Sequence, residues 1–416
     1  MNSKCGYCSR VILTNSHCSN CGFPYCNSDC QTNDWGFHKK YCASKTLPEP
    51  FTTKDMKFSD FEVVKQIGEG NFTVIKKVEH KRTSKIFALK IIDKVKVTRL
   101  HKEGDVLAEK HSLMKLEDCH GVVKIFGTFK EDNLLYILQE YIPGTELWYH
   151  CQYFGLCSDL LCRYYMYQVL TAIAQMHALD IVHRDIKPEN IMLTNGGNRV
   201  KFVDLGSSQD LAKPEVRPKI TSKLKGRVYE HFVGTPQYMA PECANNKSSG
   251  KACDIWSAGC LLYQLYVGWT PFIGATEYLI FQKSLKGEFE FPDTVPSDIQ
   301  KMIREMVQLD PTARPSIESL LKSSVFDSVK NRKIKPKLPL SDLALISIKD
   351  WYIKNAGVLR VRSENHEKAR RDIDKLLEEV IKSSMMDEDQ KNQVKRRLEL
   401  FKKQLNSLLT DEEFTL

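Results

Sequence analysis

The middle of the chain carries side chains whose types and spacing suit chemistry on phosphate groups. Asp185 ends the tripeptide His183-Arg-Asp185, Asn190 follows five positions later, and Asp204 begins Asp204-Leu-Gly206. Asp185 can accept the proton of a hydroxyl group, while Asn190 and Asp204 can bind Mg²⁺ and so neutralise charge on phosphates. Because phosphoryl transfer depends mainly on positioning and electrostatic stabilisation, these residues supply what that reaction needs.

A second group of residues, nearer the N-terminus, suits the binding of a nucleotide's phosphates. The glycine-rich run Gly68-Glu-Gly-Asn-Phe-Thr-Val-Ile75 lies between two predicted strands, although Thr73 stands where such loops usually have a third glycine. Lys90 follows in Ala88-Leu-Lys90, and Glu109 comes 19 residues later in a predicted helix. A lysine paired with a carboxylate keeps its charge and its direction toward the α- and β-phosphates.

The elements that must position these groups are indicated by hydrophobic periodicity. Strand-like runs occupy Phe61–Ile67, Phe87–Ile92 and Leu134–Gln139, and helix-like runs occupy Leu160–Met176 and Asp254–Tyr266. Strand-like and helix-like patterns thus alternate from about Phe61 to Phe326, and the expected fold class is α+β.

These motifs, taken in this order, resemble the protein kinase family. Gly234-Thr-Pro-Gln-Tyr-Met-Ala-Pro-Glu242 is similar to the end of that family's activation segment, and Asp204-Leu-Gly206 differs from its usual Asp-Phe-Gly without losing the carboxylate. Lys187 together with Thr235 is the pattern of serine/threonine kinases rather than tyrosine kinases. The resemblance implies a two-lobed fold, with a small β lobe over residues 58–141 and a larger helical lobe to residue 326.

The same resemblance implies ATP and Mg²⁺ as cofactors and assigns roles to individual residues. ATP is expected in the cleft between the lobes, with Gln139–Ile142 as the hinge and Glu146 near the ribose. The candidate catalytic residues are Lys90, Glu109, Asp185, Lys187, Asn190 and Asp204. The candidate nucleotide-binding residues, of which the last two are the magnesium ligands, are Ile67, Gly68, Gly70, Ile75, Ala88, Lys90, Gln139, Glu140, Ile142, Glu146, Glu189, Asn190 and Asp204.

Three further runs are similar to the phosphoinositide-dependent protein kinases of the AGC group: Glu277-Tyr-Leu-Ile-Phe-Gln-Lys283, Glu288-Phe-Glu-Phe-Pro292 and Phe232-Val-Gly-Thr235. The similarity covers about residues 58–330 and implies activation loops of other AGC kinases as substrates. That family usually carries a C-terminal pleckstrin homology domain. Here residues 331–363 are expected to form a connecting segment, and residues 364–409 an amphipathic helical hairpin, or alternatively a short dimerising coiled coil.

The activation segment leads to a prediction about regulation. Kinases with an arginine before the catalytic aspartate, here Arg184, usually need a negative charge on that segment. The serine that the similar family phosphorylates is replaced by His231, which follows Glu230. We therefore predict activity without a phosphate at position 231. The alternative is a phosphate on a neighbouring hydroxyl group: Thr221, Ser222 or Tyr229.

A docking site on the small lobe is a further hypothesis. The similar family grips the phosphorylated hydrophobic tails of its substrates behind the helix that carries the glutamate of the lysine–glutamate pair. Lys110, Thr128 and Lys130 occupy the matching positions here, near Leu135. Two cations and a hydroxyl group can bind a phosphate, although an ordinary exposed basic edge explains them equally well.

The first 42 residues hold seven of the 14 cysteines, which together with His38 form pairs spaced by two or three residues. Ligands at such spacing reach one tetrahedral zinc ion, and eight of them complete two closed, structural sites. A segment this short buries too little apolar surface to fold without metal. The eight candidate ligands are Cys5, Cys8, Cys18, Cys21, Cys26, Cys30, His38 and Cys42.

The run from Tyr25 to Cys42, with Gln31, Trp35 and His38, resembles the MYND-type zinc finger. The resemblance implies a finger over residues 1–42, joined by a linker over residues 43–57. It also implies a proline-containing peptide as partner. Nucleic acid is not expected as a partner, because Lys39 and Lys40 alone form too small a basic patch. The implied zinc sets are interleaved: Cys5, Cys8, Cys26 and Cys30 for one ion, and Cys18, Cys21, His38 and Cys42 for the other. The competing function is a zinc-finger adaptor whose kinase fold is inert.

The bulk composition fits an intracellular globular protein. The 416 residues are 42% hydrophobic with a net charge of +9, which solvated surface lysines explain. No apolar run approaches the roughly 18 residues of a membrane span, and the N-terminus lacks a signal-peptide core. We expect the cytoplasm as the location, with the nucleus as an alternative, no integral membrane contact, and the seven remaining cysteines as free thiols in or near the core.

Overall fold

The computed structural model describes residues 17–18, 31, 56–148, 158–194, 199–213, 221–224, 227–230, 234–244, 250–274, 276–330 and 332, with 221–224, 227–230 and 244 by their backbone alone. The chain divides into two compact units, Met1–Ile142 and Pro143–Leu416. Cys18 is buried. The other seven candidate zinc ligands, position 231 and the predicted hairpin at 364–409 lie outside the described residues.

The first unit contains an antiparallel sheet of five strands in the spatial order β1-β2-β3-β5-β4. Its strands are β1 (Phe61–Glu69), β2 (Thr73–His80), β3 (Ile86–Asp93), β4 (Ile125–Glu131) and β5 (Leu134–Glu140). β-Branched and aromatic residues recur along these segments, and such side chains pack well on a pleated, half-buried surface. The sheet is therefore the expected outcome of the local sequence.

One face of the sheet carries an apolar core of Met56, Phe61, Val78, Phe87, Leu89, Tyr136 and Leu138. Aromatic stacking extends it, because the ring of Phe129 lies 6.2 Å from that of Phe61 and 4.6 Å from that of Tyr136 between centroids. Residues that pair directly across two strands share a face, and neighbours along a strand alternate. The opposite face, called here the lysine face, consequently carries Ala88, Lys90, Ile137 and Gln139.

Two helices follow β3. Helix α1 (Lys94–Arg99) begins where the Asp93 side chain accepts hydrogen bonds from two backbone nitrogens of the first turn. Helix α2 (Glu103–Lys115) carries Glu103 and Asp105 in its first turn, where negative charge interacts favourably with the helix dipole. The buried side of α2 includes Glu109, so this helix supplies a carboxylate to the interior of the unit.

The second unit is mainly helical. Its helices are α3 (Asp159–Ala178), α4 (Pro241–Ala244), α5 (Lys251–Val267), α6 (Glu277–Lys286), α7 (Ser297–Met306) and α8 (Ile317–Lys322). Its strands are β6 (Thr145–Glu146), β7 (Ile181–Val182), β8 (Ile191–Leu193), β9 (Val200–Phe202), β10 (Gln209–Asp210), β11 (Thr221–Leu224) and β12 (Arg227–Glu230). They form sheets β6-β8-β9, β7-β10 and β11-β12.

Two glycines mark close approaches in the second unit. A Cβ atom on Gly144 would lie 1.7 Å from the carbonyl oxygen of Leu193, so only glycine fits where the chain enters β6. A Cβ atom on Gly259 would lie 2.7 Å from Val307 Cγ2 and 2.9 Å from Met306 Cβ. Gly259 thus allows α5 to pack closely on the end of α7.

The predicted strands and helices are confirmed, each with ends that differ by a few residues. β5 includes Gln139 and Glu140, the first two residues of the expected hinge. Among the described residues, none of the helices has the length and apolar character that crossing a bilayer requires. Of the scattered cysteines that the structure describes, four are buried and one is half-buried: Cys119, Cys162, Cys253 and Cys260, and Cys243.

Candidate active site

Lys90 and Glu109 form a buried ion pair in the first unit. Lys90 Nζ lies 2.6 Å from Glu109 Oε1, and both residues are less than 10% exposed. β3 places Lys90 on the lysine face, and the buried side of α2 presents Glu109 to it. Since a buried charge is tolerated when it is paired, the two residues stabilise each other and fix the direction of the ammonium group.

The turn between β1 and β2 closes tightly although it lacks a third glycine. The backbone nitrogen of Gly70 donates to the carbonyl oxygen of Thr73 at 2.8 Å. A Cβ atom on Gly70 would lie 2.8 Å from Thr73 Oγ1, so the small residue at 70 accommodates the larger one at 73. The replacement of glycine by Thr73 therefore leaves the loop closed.

Asp185 is held on several sides in the second unit. Its carboxylate lies 3.0 Å from Lys187 Nζ and accepts hydrogen bonds from Asn190 Nδ2 at 2.9 Å and Thr235 Oγ1 at 2.9 Å. Lys187 Nζ also donates to Thr235 Oγ1 at 2.8 Å. A carboxylate held this firmly is oriented to accept a proton from a hydroxyl group in a fixed direction.

The residues expected to bind Mg²⁺ have the donor atoms that this ion prefers. Asn190 turns its amide nitrogen toward Asp185, and that orientation directs its carbonyl oxygen away from Asp185. Asp204 contributes a carboxylate, one oxygen of which accepts a hydrogen bond from the backbone nitrogen of Gly206 at 2.9 Å. Mg²⁺ binds through oxygen atoms, so these two side chains fit it.

A buried carboxylate supports the catalytic loop from behind. Asp254 accepts hydrogen bonds from the backbone nitrogens of His183 at 2.9 Å and Arg184 at 2.8 Å, and His177 Nε2 lies 2.8 Å away. Burial alone would raise the pKa of Asp254, but the hydrogen bond and charge of His177 lower it below its ordinary value. The group is therefore an ionised acceptor that fixes the two residues before Asp185.

Arg184 has an unusual backbone conformation and a neutral partner. Its φ is +69°, a region that non-glycine residues seldom adopt, and its guanidinium donates to Gln209 Oε1 at 2.9 Å. Gln209 lies in β10, which pairs with β7 directly before the catalytic loop. The arginine is thus positioned by a residue of strand β10.

The end of the activation segment is attached to the helical core. Arg314 donates to both carboxylate oxygens of Glu242, at 2.6 and 2.8 Å, and its guanidinium lies 5.0 Å from the ring centroid of Trp256. A bidentate pair of this kind fixes orientation as well as charge. It anchors the segment that carries Thr235.

Two family models match the chain. The protein kinase domain model matches residues 61–326, and the MYND finger model matches residues 5–42. The chain belongs to the protein kinase family.

Several curated relatives of this kinase are similar over the catalytic region. It is 38% identical to 3-phosphoinositide-dependent protein kinase B of Dictyostelium discoideum over 66% of its own length and 29% of the relative's. It is 34% identical to serine/threonine-protein kinase PKH1 of Saccharomyces cerevisiae, over 66% and 36% of the two chains. It is 33% identical to human 3-phosphoinositide-dependent protein kinase 1, over 63% and 45%. The aligned region thus spans from under a third to under half of each relative.

Membership of the protein kinase family and the match to the MYND model confirm several predictions. The serine/threonine kinase family, the α+β fold with a β lobe and a helical lobe, and the MYND finger are confirmed. A kinase domain implies ATP, Mg²⁺ and protein substrates, and a MYND finger implies zinc and protein contacts.

The candidate site residues of this kinase fall into two groups, one in each unit. Ile67, Gly68, Gly70, Ile75, Ala88, Lys90, Glu109, Gln139, Glu140 and Ile142 belong to the first unit. Glu146, Asp185, Lys187, Glu189, Asn190 and Asp204 belong to the second. Burial raises the pKa of Glu189 above its ordinary value, and the nearby carboxylate of Glu146 adds to that effect.

Three supporting residues of this kinase were missed by sequence reasoning: Gln209, Asp254 and Arg314. Asp254 offered a signal, since an acidic residue in the first turn of a strongly apolar helix must find donors when it is buried. Gln209 and Arg314 offered no such signal in the sequence. Gln209 lies 25 residues from its partner Arg184, and Arg314 lies 72 residues from its partner Glu242.

Proposed function

We propose that this chain is an active serine/threonine kinase that transfers the γ-phosphate of ATP to protein substrates, and that its substrates are activation loops of other AGC kinases. The observation that carries the activity is the orientation of Asp185 by Lys187, Asn190 and Thr235. The relatives' names, which include 3-phosphoinositide-dependent protein kinases, support the substrate class.

The proposed reaction assigns one task to each side chain. The substrate hydroxyl oxygen bonds to the γ-phosphorus, the bond to the bridging oxygen of ADP breaks, and Asp185 accepts the hydroxyl proton. Lys187 stabilises the charge on the transferred phosphoryl group, and Lys90 holds the α- and β-phosphates. Asn190 and Asp204 would hold Mg²⁺, which would supply positive charge to offset the charge on the phosphates.

An inert adaptor is the competing function, and the ion pair in the first unit argues against it. Keeping two charges buried 2.6 Å apart gains little stability over apolar residues of the same size. A fold without catalytic use of Lys90 and Glu109 has no need of that arrangement.

The activity is tested by phosphate transfer to a peptide that copies an AGC activation loop. Asp185→Asn keeps the shape of the side chain but removes the proton acceptor, and Lys90→Met removes the phosphate-binding charge. Each should lower the rate by about 10²–10³-fold or more. Both proteins should remain folded, the Lys90 variant at a lower melting temperature because Glu109 loses this ion pair. Near-normal rates in either pure variant would refute the catalytic assignment.

We also propose that the first unit docks the phosphorylated tail of a substrate. Lys110 and Lys130 are exposed, and Thr128 lies two residues before Lys130 on the same face of β4. Leu107 and Met114 are 58% and 55% exposed on the side of α2 that also carries Lys110. Lys110 beside this exposed apolar stripe, together with Lys130 on β4, suits a phosphate followed by apolar side chains.

The docking proposal is tested by charge reversal. Lys110→Glu with Lys130→Glu should weaken phosphorylation of a full-length kinase substrate and spare a short peptide. Lys286→Glu with Lys301→Glu makes the same change of charge on exposed sites of the second unit and serves as control. Equal losses on both substrates would argue against docking.

For the N-terminal segment we propose two interleaved zinc sites that support a surface for proline-containing peptides, with no nucleic acid bound. The eight ligands predicted from the spacing and the match of the MYND model to residues 5–42 support this. We propose the cytoplasm as the location, with the nucleus as a second one. Titration of the whole protein with a proline-containing peptide and with duplex DNA separates the two partner classes.

A further inference from the structure

Two cysteine thiols meet where α4 comes close to the start of α5. Cys243 lies in α4, and Cys253 lies in the first turn of α5, ten positions later in the sequence. The thiol of Cys253 forms a hydrogen bond with that of Cys243. Cys253 is 3% exposed, whereas Cys243 is half-buried. The pair therefore consists of an outer thiol that solutes can reach and an inner thiol in contact with it.

A buried arginine fixes the proximity of the two thiols. Arg314 Nη1 donates to Glu242 Oε1 at 2.6 Å and to the carbonyl oxygen of Ala252 at 2.8 Å. Glu242 directly precedes Cys243, and Ala252 directly precedes Cys253. One guanidinium group thus joins the two backbone segments that carry the thiols, so their contact follows from the fold.

The surroundings distinguish the roles of the two sulfur atoms. The hydrogen bond to Cys243, together with burial, raises the pKa of Cys253 well above its ordinary value, and the nearby charge of Asp254 adds to that effect. Cys253 consequently keeps its proton and donates it to the sulfur of Cys243. Since the thiolate is the nucleophilic form of cysteine, the half-buried acceptor Cys243 is the sulfur that reacts first with an external oxidant.

We propose that Cys243 and Cys253 form a redox-sensitive pair, which hydrogen peroxide converts into a disulfide that lowers the kinase activity. The Cys243 sulfur bonds to one peroxide oxygen, the O–O bond breaks, and the second oxygen leaves as water. The Cys253 sulfur then bonds to the Cys243 sulfur, and the S–O bond breaks with loss of a second water that takes up the Cys253 proton. Two thiols are oxidised, and one peroxide is reduced to two water molecules.

The disulfide would disturb the anchor of the activation segment. Bonded sulfur atoms lie about 2.0 Å apart, much closer than two atoms that share a hydrogen bond. Formation of the bond therefore draws Cys243 toward α5 and moves the adjacent Glu242 relative to Arg314. That bidentate pair anchors the segment that carries Thr235, which donates to Asp185. We expect a rate about tenfold lower, the order of one hydrogen bond to a charged group.

Peptide mapping of the full chain tests the bond itself. The protein is treated with hydrogen peroxide, its remaining thiols are blocked, and it is digested with trypsin. Lys247 and Lys251 lie between the two cysteines, so trypsin places the thiols on separate peptides. Mass spectrometry should find these two peptides linked after peroxide, and released again by dithiothreitol.

The effect on activity rests on the proposed kinase function and is measured with the activation-loop peptide. The rate of the wild-type protein should fall about tenfold after peroxide and recover with dithiothreitol. Cys243→Ser and Cys253→Ser should each keep the untreated rate and lose the response. If Cys253→Ser fails to fold, Cys243→Ser at the half-buried position decides. Cys260→Ala removes another buried thiol of α5 and serves as control, because it should keep both the linked peptides and the response.

The possible failures are distinguishable. Absence of the linked peptides in the wild-type protein would overturn the pair, and linked peptides with an unchanged rate would overturn its effect on activity. A loss of rate that persists in Cys243→Ser would assign the effect to other cysteines, such as those of the N-terminal segment. Absence of transfer by the untreated wild-type protein would overturn the proposed function, and the linked peptides would still decide whether the disulfide forms.

Discussion

At the scale of single residues, the conformation of the catalytic loop depends on a carboxylate that takes no part in the chemistry. Asp254 is fully buried, and its two oxygens accept from His183, Arg184 and His177. Because the lowered pKa keeps the group ionised, it remains an acceptor at every pH near neutrality. The strained backbone of Arg184 is held in place by this interaction, which makes Asp254 a positioning residue.

Replacement of Asp254 should have an effect on stability that depends on pH. Asp254→Asn puts an amide donor opposite a backbone N–H and should cost about 2–4 kcal/mol at pH 7. The folded pKa of Asp254 lies below the ordinary value of about 3.9, so the unfolded chain takes up its proton first as pH falls. The stabilisation is therefore complete above about pH 5 and is lost as pH falls through the lowered pKa.

Urea denaturation of both proteins at pH 7 and near pH 3 measures this effect. The difference in unfolding free energy should shrink at the lower pH, since the unfolded wild-type chain then takes up a proton that the lowered pKa of folded Asp254 resists. Asp293→Asn, at an exposed site, should leave stability unchanged at both values. A difference of the same size at both pH values would contradict the account.

Arg184 gives a second prediction at this scale, about regulation. Protein made in bacteria and treated with phosphatase should stay active, because Gln209 already holds the arginine. Gln209→Ala should lower the rate by about tenfold, the order of one hydrogen bond to a charged group. Glu230→Ala should also lower it if that carboxylate partly replaces a phosphate. Complete inactivation by phosphatase, restored by phosphate on Thr221, Ser222 or Tyr229, would show the prediction to be wrong.

At the scale of elements, helix packing in the second unit depends on a residue that has no side chain. Gly259→Ala should destabilise the protein by about 1–3 kcal/mol, because its methyl group would collide with Met306 and Val307 at the end of α7. Gly250→Ala, directly before the same helix, meets nothing within 4 Å and should change stability by less than about 0.5 kcal/mol. Thermal melting of both variants tests this prediction, and equal decreases in their melting temperatures would contradict it.

The elements also show how far local sequence predicts structure. Strands β1, β3 and β5 and helices α3 and α5 were predictable because each carries its own periodicity over six or more residues. Strands β6, β7 and β10 have only two residues each, and their partners come from distant segments. Such short strands have no period to detect.

At the scale of the whole molecule, the finger and the kinase domain should be separable in function. We predict two zinc ions per chain, counted by elemental analysis, because eight ligands complete two tetrahedral sites. Chelation should unfold the finger and leave the rate on a short peptide nearly unchanged. One ion or none would refute the count, and a large loss of rate would mean that the kinase domain depends on the finger.

The same scale shows which parts of the site the sequence could reveal. Lys187 and Asn190 stand beside Asp185 in one short motif, so their roles followed from spacing. Thr235, 50 residues from Asp185, was found through its own motif. Gln139 has a buried Nε2 atom without a hydrogen-bond partner among the described residues. That feature was not predictable, because whether a side chain finds a partner depends on atoms that only the folded sheet brings together.

The Lys90–Glu109 ion pair also restricts how this gene can change over generations. A mutation at either position alone breaks this buried ion pair, which typically costs about 3–5 kcal/mol. Joint replacement by apolar residues would carry no such penalty. A lineage drifting toward an inert scaffold therefore passes through a destabilised intermediate or changes both codons together. Among descendants of this sequence, the two residues should be lost as a pair, and the intact pair should persist where the first step is selected against.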